Sequence, residues 1–222
     1  MREILQNISE AMKTAIVLLD YFRHTFTDQC VASFHNGNHP FDLFRIDRFG
    51  IAAALNEGID KTKEYDVVAF CGNDILMPHN WLAMAVHHIQ QIPETGMCGI
   101  HCVETLPPLE TINGLQVHPT WATFGNVIIP RKAIDSVGYF NEAFDPYGMQ
   151  DSDYGLRLTK HGFKNYYIRD LQSQHLGHDV GEQTDYRKMK DEGLNKAGEI
   201  WGKYTKMYEE TNNYTIFQKE HF

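Results

Sequence analysis

Three apolar runs early in the chain each close on an acidic residue. Thr14-Ala15-Ile16-Val17-Leu18-Leu19 ends at Asp20, and Phe41-Asp42-Leu43-Phe44-Arg45-Ile46 ends at Asp47. Asp66-Val67-Val68-Ala69-Phe70 continues through Cys71 and Gly72 to Asn73-Asp74. Short runs of this kind read as β-strands, and near-continuous apolarity means that both faces are covered. Between them, residues 28–34 and 51–59 read as helices, the second Ala-rich with Gly58 near its end. Asn80 is expected to cap a helix over residues 81–89, which Pro93 terminates before another strand at 96–103. This alternation predicts a doubly wound α/β sheet, whose ligands bind outside the carboxyl ends of the strands. Asp20, Asp47 and Asp74 all fall at such ends.

The second half has a different rhythm. Residues 106–119 read as a long loop or hairpin, 124–129 as a strand closed by Pro130, and 131–137 as a short helix. A helix over 151–161 stops at Gly162, and a Tyr-rich strand follows at 164–168. Residues 184–210 read as one long polar helix with Trp201, Tyr204 and Tyr208 at helical spacing. That spacing points to packing back on the domain, with a homodimer contact as the alternative. Residues 1–13 read as a short amphipathic helix or cap.

The 222 residues suit one domain with a core that needs no staples. A net charge of −9 argues against a general nucleic-acid-binding surface, although Tyr186-Arg187-Lys188-Met189-Lys190 can form a local basic patch. No apolar run approaches the roughly 20 residues of a membrane span. The segment from Met1 to Asn7 has no signal-peptide core, which predicts a cytoplasmic protein, or one in the host cytoplasm if phage-encoded. Cys30, Cys71, Cys98 and Cys102 are irregularly spaced and read as reduced thiols. Cys98-Gly99-Ile100-His101-Cys102 could be read as a metal motif, but a buried strand of small residues accounts for it better.

Four segments, in this order, carry a resemblance. They are the helix Phe49-Gly50-Ile51-Ala52-Ala53-Ala54-Leu55-Asn56-Glu57-Gly58, the strand end Gly72-Asn73-Asp74, the segment Val137-Gly138-Tyr139-Phe140-Asn141-Glu142-Ala143-Phe144, and Gln150-Asp151-Ser152-Asp153. Together they resemble the family-two, GT-A-type glycosyltransferases over residues from about 14 to about 178. The resemblance implies a GT-A-type mixed sheet in a single domain over residues 1–183. The donor half would span about 14–103, the acceptor half about 104–183, and residues 184–222 would form a helical extension.

The resemblance also implies chemistry. It implies inverting transfer of a sugar from a nucleotide diphosphate sugar, with UDP the favoured carrier, to an acceptor hydroxyl. A glycan, a small molecule, a protein or a hydroxymethylated DNA base would serve, so nucleic acid enters only as an acceptor. Asn73-Asp74 falls where the family has its acidic cluster, which chelates Mn²⁺ or Mg²⁺ against the donor diphosphate. Gly72 and Asn73 replace acidic residues there, leaving Asp74 as the one carboxylate. His175, with His178 as an alternative, matches the histidine that completes the metal site, and imidazole favours Mn²⁺. Asp151 matches the general base, preceded by Gln150 in place of the usual glutamate.

Asp20, Tyr21, Asp47 and Asn73 are expected to contact the nucleotide. Arg187 and Lys190 are expected to clamp the diphosphate, with a solvated helix face as the equal alternative. Trp121, Phe124, Gly125 and Asn126, together with Gln150, are expected to line the acceptor and sugar pocket. The plainer alternatives are a turn at Asn73-Asp74, surface positions for the histidines, helix capping by Asp151 and Asp153, and a core tryptophan at 121. Asp153 is expected to pair with Arg157 at i, i+4. The competing functions are a degenerate, non-catalytic nucleotide- or sugar-binding module and, on the same fold, a nucleotidyltransferase. The latter needs a Gly-rich basic loop that Asp20-Tyr21-Phe22-Arg23-His24 does not provide.

Overall fold

The computed structural model describes residues 12–21, 24–102, 105–123, 125–176 and 184–218. Its centre is an eight-stranded mixed sheet of order β2-β1-β3-β8-β5-β9-β7-β6, with β6 over Glu110–Ile112 and β7 over Leu115–Thr120, beside a two-stranded ribbon of β4 (Ile75–Leu76) and β10 (Gln174–His175). Strands β1 (Thr14–Leu19), β2 (Asp42–Ile46) and β3 (Val67–Gly72) are parallel. Strand β8 (Asn126–Pro130) runs against both β3 and β5 (Thr95–His101), and β5 is parallel to β9 (Lys164–Gln172). Strands β1, β2, β3, β5 and β9 therefore end at one edge of the sheet, and β8 begins there. The expected α/β architecture is present, and its strand ends converge.

Side-chain alternation sorts the strands into two cores. Ile16, Leu18, Val67, Ala69 and Cys71 pack on one face with Phe34, Trp81 and Leu82. Val17, Val68 and Phe70 pack on the other with Leu55, Ile134, Tyr154 and Leu158. The first face is covered by α1 (Thr27–Phe34) and α3 (Trp81–Gln91), and the second by α2 (Ile51–Lys61), α4 (Arg131–Val137) and α5 (Gln150–Lys160). Burial of successive residues on opposite faces is what makes the runs read as continuous apolar strings.

Two parts of the resembling motifs have direct packing reasons. A Cβ on Gly58 would lie 2.5 Å from Cγ1 of Val17, so α2 can approach β1 closely only without one. The Asn56 side chain donates to the Phe140 carbonyl at 2.9 Å and accepts from the Phe140 amide at 2.8 Å, tying α2 to the segment after α4. In this way one segment completes the hydrogen bonding of the other.

The last helix, α6 (Thr184–Thr211), lies against the domain. Tyr204 and Tyr208 are buried within the chain, so this part of the aromatic face packs back on the domain. Cys30, Cys71, Cys98 and Cys102 are free thiols, as expected. Among the described residues no helix is long and apolar enough to cross a membrane. The expected N-terminal helix falls almost wholly outside the described residues, as do Phe124 and His178.

Candidate active site

A cleft opens at the carboxyl edge of β1 and β3, where ligands of open α/β sheets bind. Its walls include Tyr21 after β1, Arg48 after β2, Gly50 and Ile51 at the start of α2, and Gly72, Asn73 and Asp74 after β3. Pro146 and Met189 close it from the second half of the chain. Tyr21 is partly exposed and meets the exposed Phe49 edge to face, with ring centroids 5.6 Å apart. An apolar body with one cation and one carboxylate at its rim suits a ligand that is aromatic at one end and charged at the other.

Asp74 and His175 come together. Ribbon β4 (Ile75–Leu76) pairs with β10 (Gln174–His175), setting His175 opposite Ile75. The Leu176 amide donates to the Asp74 carbonyl at 2.8 Å, and His175 Nε2 lies 3.4 Å from Asp74 Oδ2. A Cβ on Gly72 would meet Asp74 Oδ1 at 3.3 Å, so the glycine leaves the space beside that carboxylate open. Among the described residues there is no cluster of three or more His, Cys, Asp or Glu that could hold a metal. The protein offers a pair of donors, one carboxylate and one imidazole. Divalent cations bound with phosphates commonly use one or two protein ligands and take the rest from phosphate oxygens and water, so the pair fits such an ion.

Asp20 stands beneath this edge as an internal hub. Its carboxylate accepts from Thr27 Oγ1 at 2.7 Å, Asn73 Nδ2 at 2.9 Å and Arg45 Nε at 3.0 Å, with His24 Nδ1 at 3.2 Å. Burial pulls its pKa upward, but these hydrogen bonds outweigh burial and hold it at about 2. Asp20 thus braces β1, β2, α1 and the Asn73 side chain, while its neighbour Tyr21 faces the cleft. Asp47 is exposed at the end of β2, beside Arg48, whose Nη1 lies 3.7 Å from Glu57 Oε2. Sequence reading missed Arg48, Gly50, Pro146 and Met189; of these, only Arg48 had a local clue, its place next to Asp47.

Asp151 lies in the first turn of α5, following Met149, whose left-handed backbone starts the helix. Its Oδ1 accepts from the Ser152 amide at 2.7 Å, yet burial dominates and raises its pKa to about 6. Asp153 is fully buried and pairs with Arg157 Nε at 2.8 Å, as expected from their spacing. Gln150 is buried and serves the loop before it: its Oε1 accepts from the Gly148 amide at 2.8 Å and its Nε2 donates to the Phe144 carbonyl at 3.1 Å.

The remaining candidates scatter around this centre. Trp121 is 46% exposed and meets Trp201 of α6 edge to face at 5.2 Å. Its carbonyl would lie 2.3 Å from a Cβ on Gly155, one turn beyond Asp151, so this aromatic pair borders the α5 face that carries Asp151. Gly125 is exposed with φ +84°, and Asn126 is fully buried, donating to Ser173 Oγ at 3.3 Å. Arg187 is exposed and pairs with Asp191 along α6. Lys190 Nζ sits 5.4 Å from the centre of the Tyr147 ring, on the segment that leads to Asp151.

The description "Glycosyl transferase family 2" belongs to the family model that matches residues 5–149. The match ends before Asp151, His175 and α6. No individual curated protein sequence matches the chain. Among solved structures, a mannosyltransferase from Pyrobaculum calidifontis in complex with GDP-Man and Mn²⁺ aligns with TM-score 0.60 at 15% identity, over 78% of this chain and 59% of its own. The catalytic domain of Drosophila β1,4-galactosyltransferase 7 with xylobiose aligns at 0.56 and 16% identity, over 80% and 79%. GalNAc-T7 with UDP, GalNAc and Mn²⁺ aligns at 0.54 and 11% identity, over 75% of this chain and 44% of its own. The chain thus spans less than two thirds of two of these three proteins, and the likeness establishes a common fold. With the fold, the cleft at the strand ends and the matched span in agreement, the chain belongs to glycosyl transferase family 2 and has the GT-A fold of these structures.

Proposed function

We propose that the protein transfers a sugar from a nucleoside diphosphate sugar to an acceptor hydroxyl with inversion, using Asp74 and His175 to hold a divalent cation and Asp151 as the general base. The observation that carries this reading is the meeting of Asp74 and His175 at 3.4 Å beside the cleft, produced by the β4–β10 ribbon. UDP is the favoured carrier, and UDP and GDP-Man occur with Mn²⁺ in the similar structures.

The nucleobase takes the apolar end of the cleft against Tyr21, with Asp47 and Arg48 at its rim. The N-terminus of α2 is not available to the diphosphate. The Ala52 and Ala53 amides donate to Asp145 at 2.7 and 3.0 Å, and the Ile51 amide donates to the Pro146 carbonyl at 3.3 Å. Diphosphate charge must be met elsewhere, with Asp74 and His175 holding the cation and Arg48 or Lys190 nearby. The cation, when bound, offsets charge on the leaving diphosphate.

Asp151 takes the proton of the acceptor hydroxyl as its oxygen bonds to the anomeric carbon. The bond from that carbon to the diphosphate oxygen breaks, and the nucleoside diphosphate leaves. A carboxylate held near 6 by burial is ionised at neutral pH and still basic enough to accept a proton, which favours an enzyme over a binding module. The Trp121–Trp201 pair beside α5, with Trp121 exposed, offers an aromatic face to an acceptor sugar ring.

Calorimetric titration of UDP and GDP, with Mn²⁺ and with EDTA, tests the cation site. We expect one nucleotide to bind at least tenfold more tightly with Mn²⁺, and Asp74→Ala to remove that increment. Equal affinity in EDTA for well-folded protein would take the cation out of the mechanism.

A further inference from the structure

The segment that leads into Asp151 is fastened to the wall of the donor cleft at one carboxylate. Asp145 reaches back 93 residues in sequence to cap α2, accepting from the Ala52 amide through Oδ1 and, at a separation of 92 residues, from the Ala53 amide through Oδ2. The N-cap residue Gly50 has φ 89° and contributes no side-chain cap. A Cβ there would lie 2.7 Å from Asp145 Oδ2, so the glycine makes room for the distant carboxylate. The next residue, Pro146, receives the Ile51 amide and itself lines the cleft.

The rest of the segment leaves little slack. Gln150 bonds both to the Gly148 amide and to the Phe144 carbonyl, bracketing Asp145 to Met149. On the opposite side, a Cβ on Gly193 of α6 would lie 2.0 Å from the Tyr147 carbonyl oxygen, and one on Gly148 would lie 3.1 Å from the Ala197 Cβ. The segment is gripped between α2 and α6, with Pro146 on the cleft wall and its last residue just before Asp151.

We propose that Asp145 is a positioning residue that fixes the spacing between the donor cleft and the general base, by docking the segment from Asp145 to Gln150 onto the N-terminus of α2. This rests on the assignment of Asp151 as base. A carboxylate at an open helix N-terminus satisfies two amides that otherwise lack partners and complements the helix dipole. Here the same contact sets a geometry on which turnover depends, since misplacement of a catalytic group by about 1 Å can cost on the order of 100-fold in rate.

Amide hydrogen exchange and kinetics test this together. In Asp145→Ala we expect exchange to rise in both residues 50–56 and residues 147–156. A contact that serves only as a local helix cap would loosen 50–56 alone, and that outcome overturns the proposal. With UDP-galactose or GDP-mannose and Mn²⁺, donor hydrolysis should fall by about 10- to 100-fold, while UDP or GDP affinity should change less than about threefold. Loss of nucleotide affinity in proportion to turnover also overturns it. Asp145→Asn keeps an acceptor oxygen for one amide and should fall between wild type and Asp145→Ala. It also serves if the alanine variant does not fold. Asp151→Asn run in parallel separates the two readings. Wild-type hydrolysis in that variant sinks the base assignment while leaving a loss at Asp145 as positioning of the segment. An inactive Asp151→Asn beside a fully active Asp145→Ala sinks the positioning role alone.

Discussion

The Tyr208 hydroxyl donates a 2.8 Å hydrogen bond to Oδ1 of Asp153, joining α6 to α5 across 55 residues. The other carboxylate oxygen accepts from Arg157 Nε at 2.8 Å, and Arg157 in turn donates to the Val137 and Tyr139 carbonyls. All three side chains are buried, so a polar group that loses its partner here has no ready replacement from solvent. Tyr208→Phe should therefore destabilise the fold by about 1–3 kcal/mol, the cost of leaving one side of a buried hydrogen bond unmet. Asp153→Ala should cost about 3–5 kcal/mol, because it strands the Arg157 charge. Urea denaturation measures both. Asp153, enclosed in this way, is a poor candidate for proton transfer, in keeping with the role proposed for Asp151.

Asp47 lies on the surface at the end of β2, where the chain turns toward the cleft at Arg48. Asp47→Ala should leave stability within about 0.5 kcal/mol of wild type, as surface changes generally do. Nucleotide affinity should weaken by about 1–3 kcal/mol if the carboxylate accepts from the ribose or base. Calorimetry beside thermal denaturation distinguishes the two effects, and unchanged affinity would remove Asp47 from the donor site.

The sheet was legible from sequence because both of its faces are covered. The limits of β1 and α4 agree with expectation to the residue. Where expectation and structure differ, the cause is a contact distant in sequence or a special backbone. Asn80 occupies the N-cap of α3 but is left-handed, with φ 60° and no side-chain cap bond; its amide oxygen instead accepts from Asn38 Nδ2. Strand β9 runs on past residue 168 to Gln172, through Arg169 and Asp170, whose charges conceal a strand that pairs with β5 as far as His101. The loop or hairpin expected at 106–119 is the hairpin of β6 (Glu110–Ile112) and β7 (Leu115–Thr120), turned by Asn113-Gly114 with both φ angles positive. At the site, strand-end position put Asp74 at the cleft but could not separate a residue that faces the cleft from one that braces it. Asp20 and Gln150 are examples of bracing, and Asp145 gives no local sign because its partners lie near residue 52.

Gln150 stands where the family usually has glutamate, yet restoring the acid should harm this protein. Its Nε2 donates to the Phe144 carbonyl, and its side chain also hydrogen-bonds Asp145, whose pKa is already pushed up by burial. Gln150→Glu would replace a donor with a carboxylate facing a carbonyl and a second carboxylate. We expect a loss of about 1–3 kcal/mol at neutral pH, shrinking in acid as one carboxyl takes a proton. Denaturation at pH 5 and pH 8 measures it. Equal stability at both values would mean that the segment rearranges to accept the charge.

The proposed base, Asp151, would couple catalysis and stability in opposite directions. Burial raises its pKa from 3.8 to about 6. The folded state therefore holds a proton on this group more tightly than the unfolded chain does. Its contribution to stability is full below about pH 4 and is lost as pH rises through about 6. Above that, the fold carries an ionised carboxylate that water would solvate better. Asp151→Asn should accordingly be more stable than wild type at pH 8, by about 1–3 kcal/mol, with the difference narrowing toward pH 4. Turnover should move the other way. Wild-type activity should rise through about pH 6 as the base ionises, and the asparagine variant should lose on the order of 10²–10⁴ in rate with donor affinity kept. Thermal denaturation and donor turnover on the same samples, from pH 4 to 8, give both curves. A stabilised, inactive variant that still binds nucleotide fits a partly buried base. A variant that is destabilised and loses nucleotide binding would make Asp151 a structural residue of the helix start.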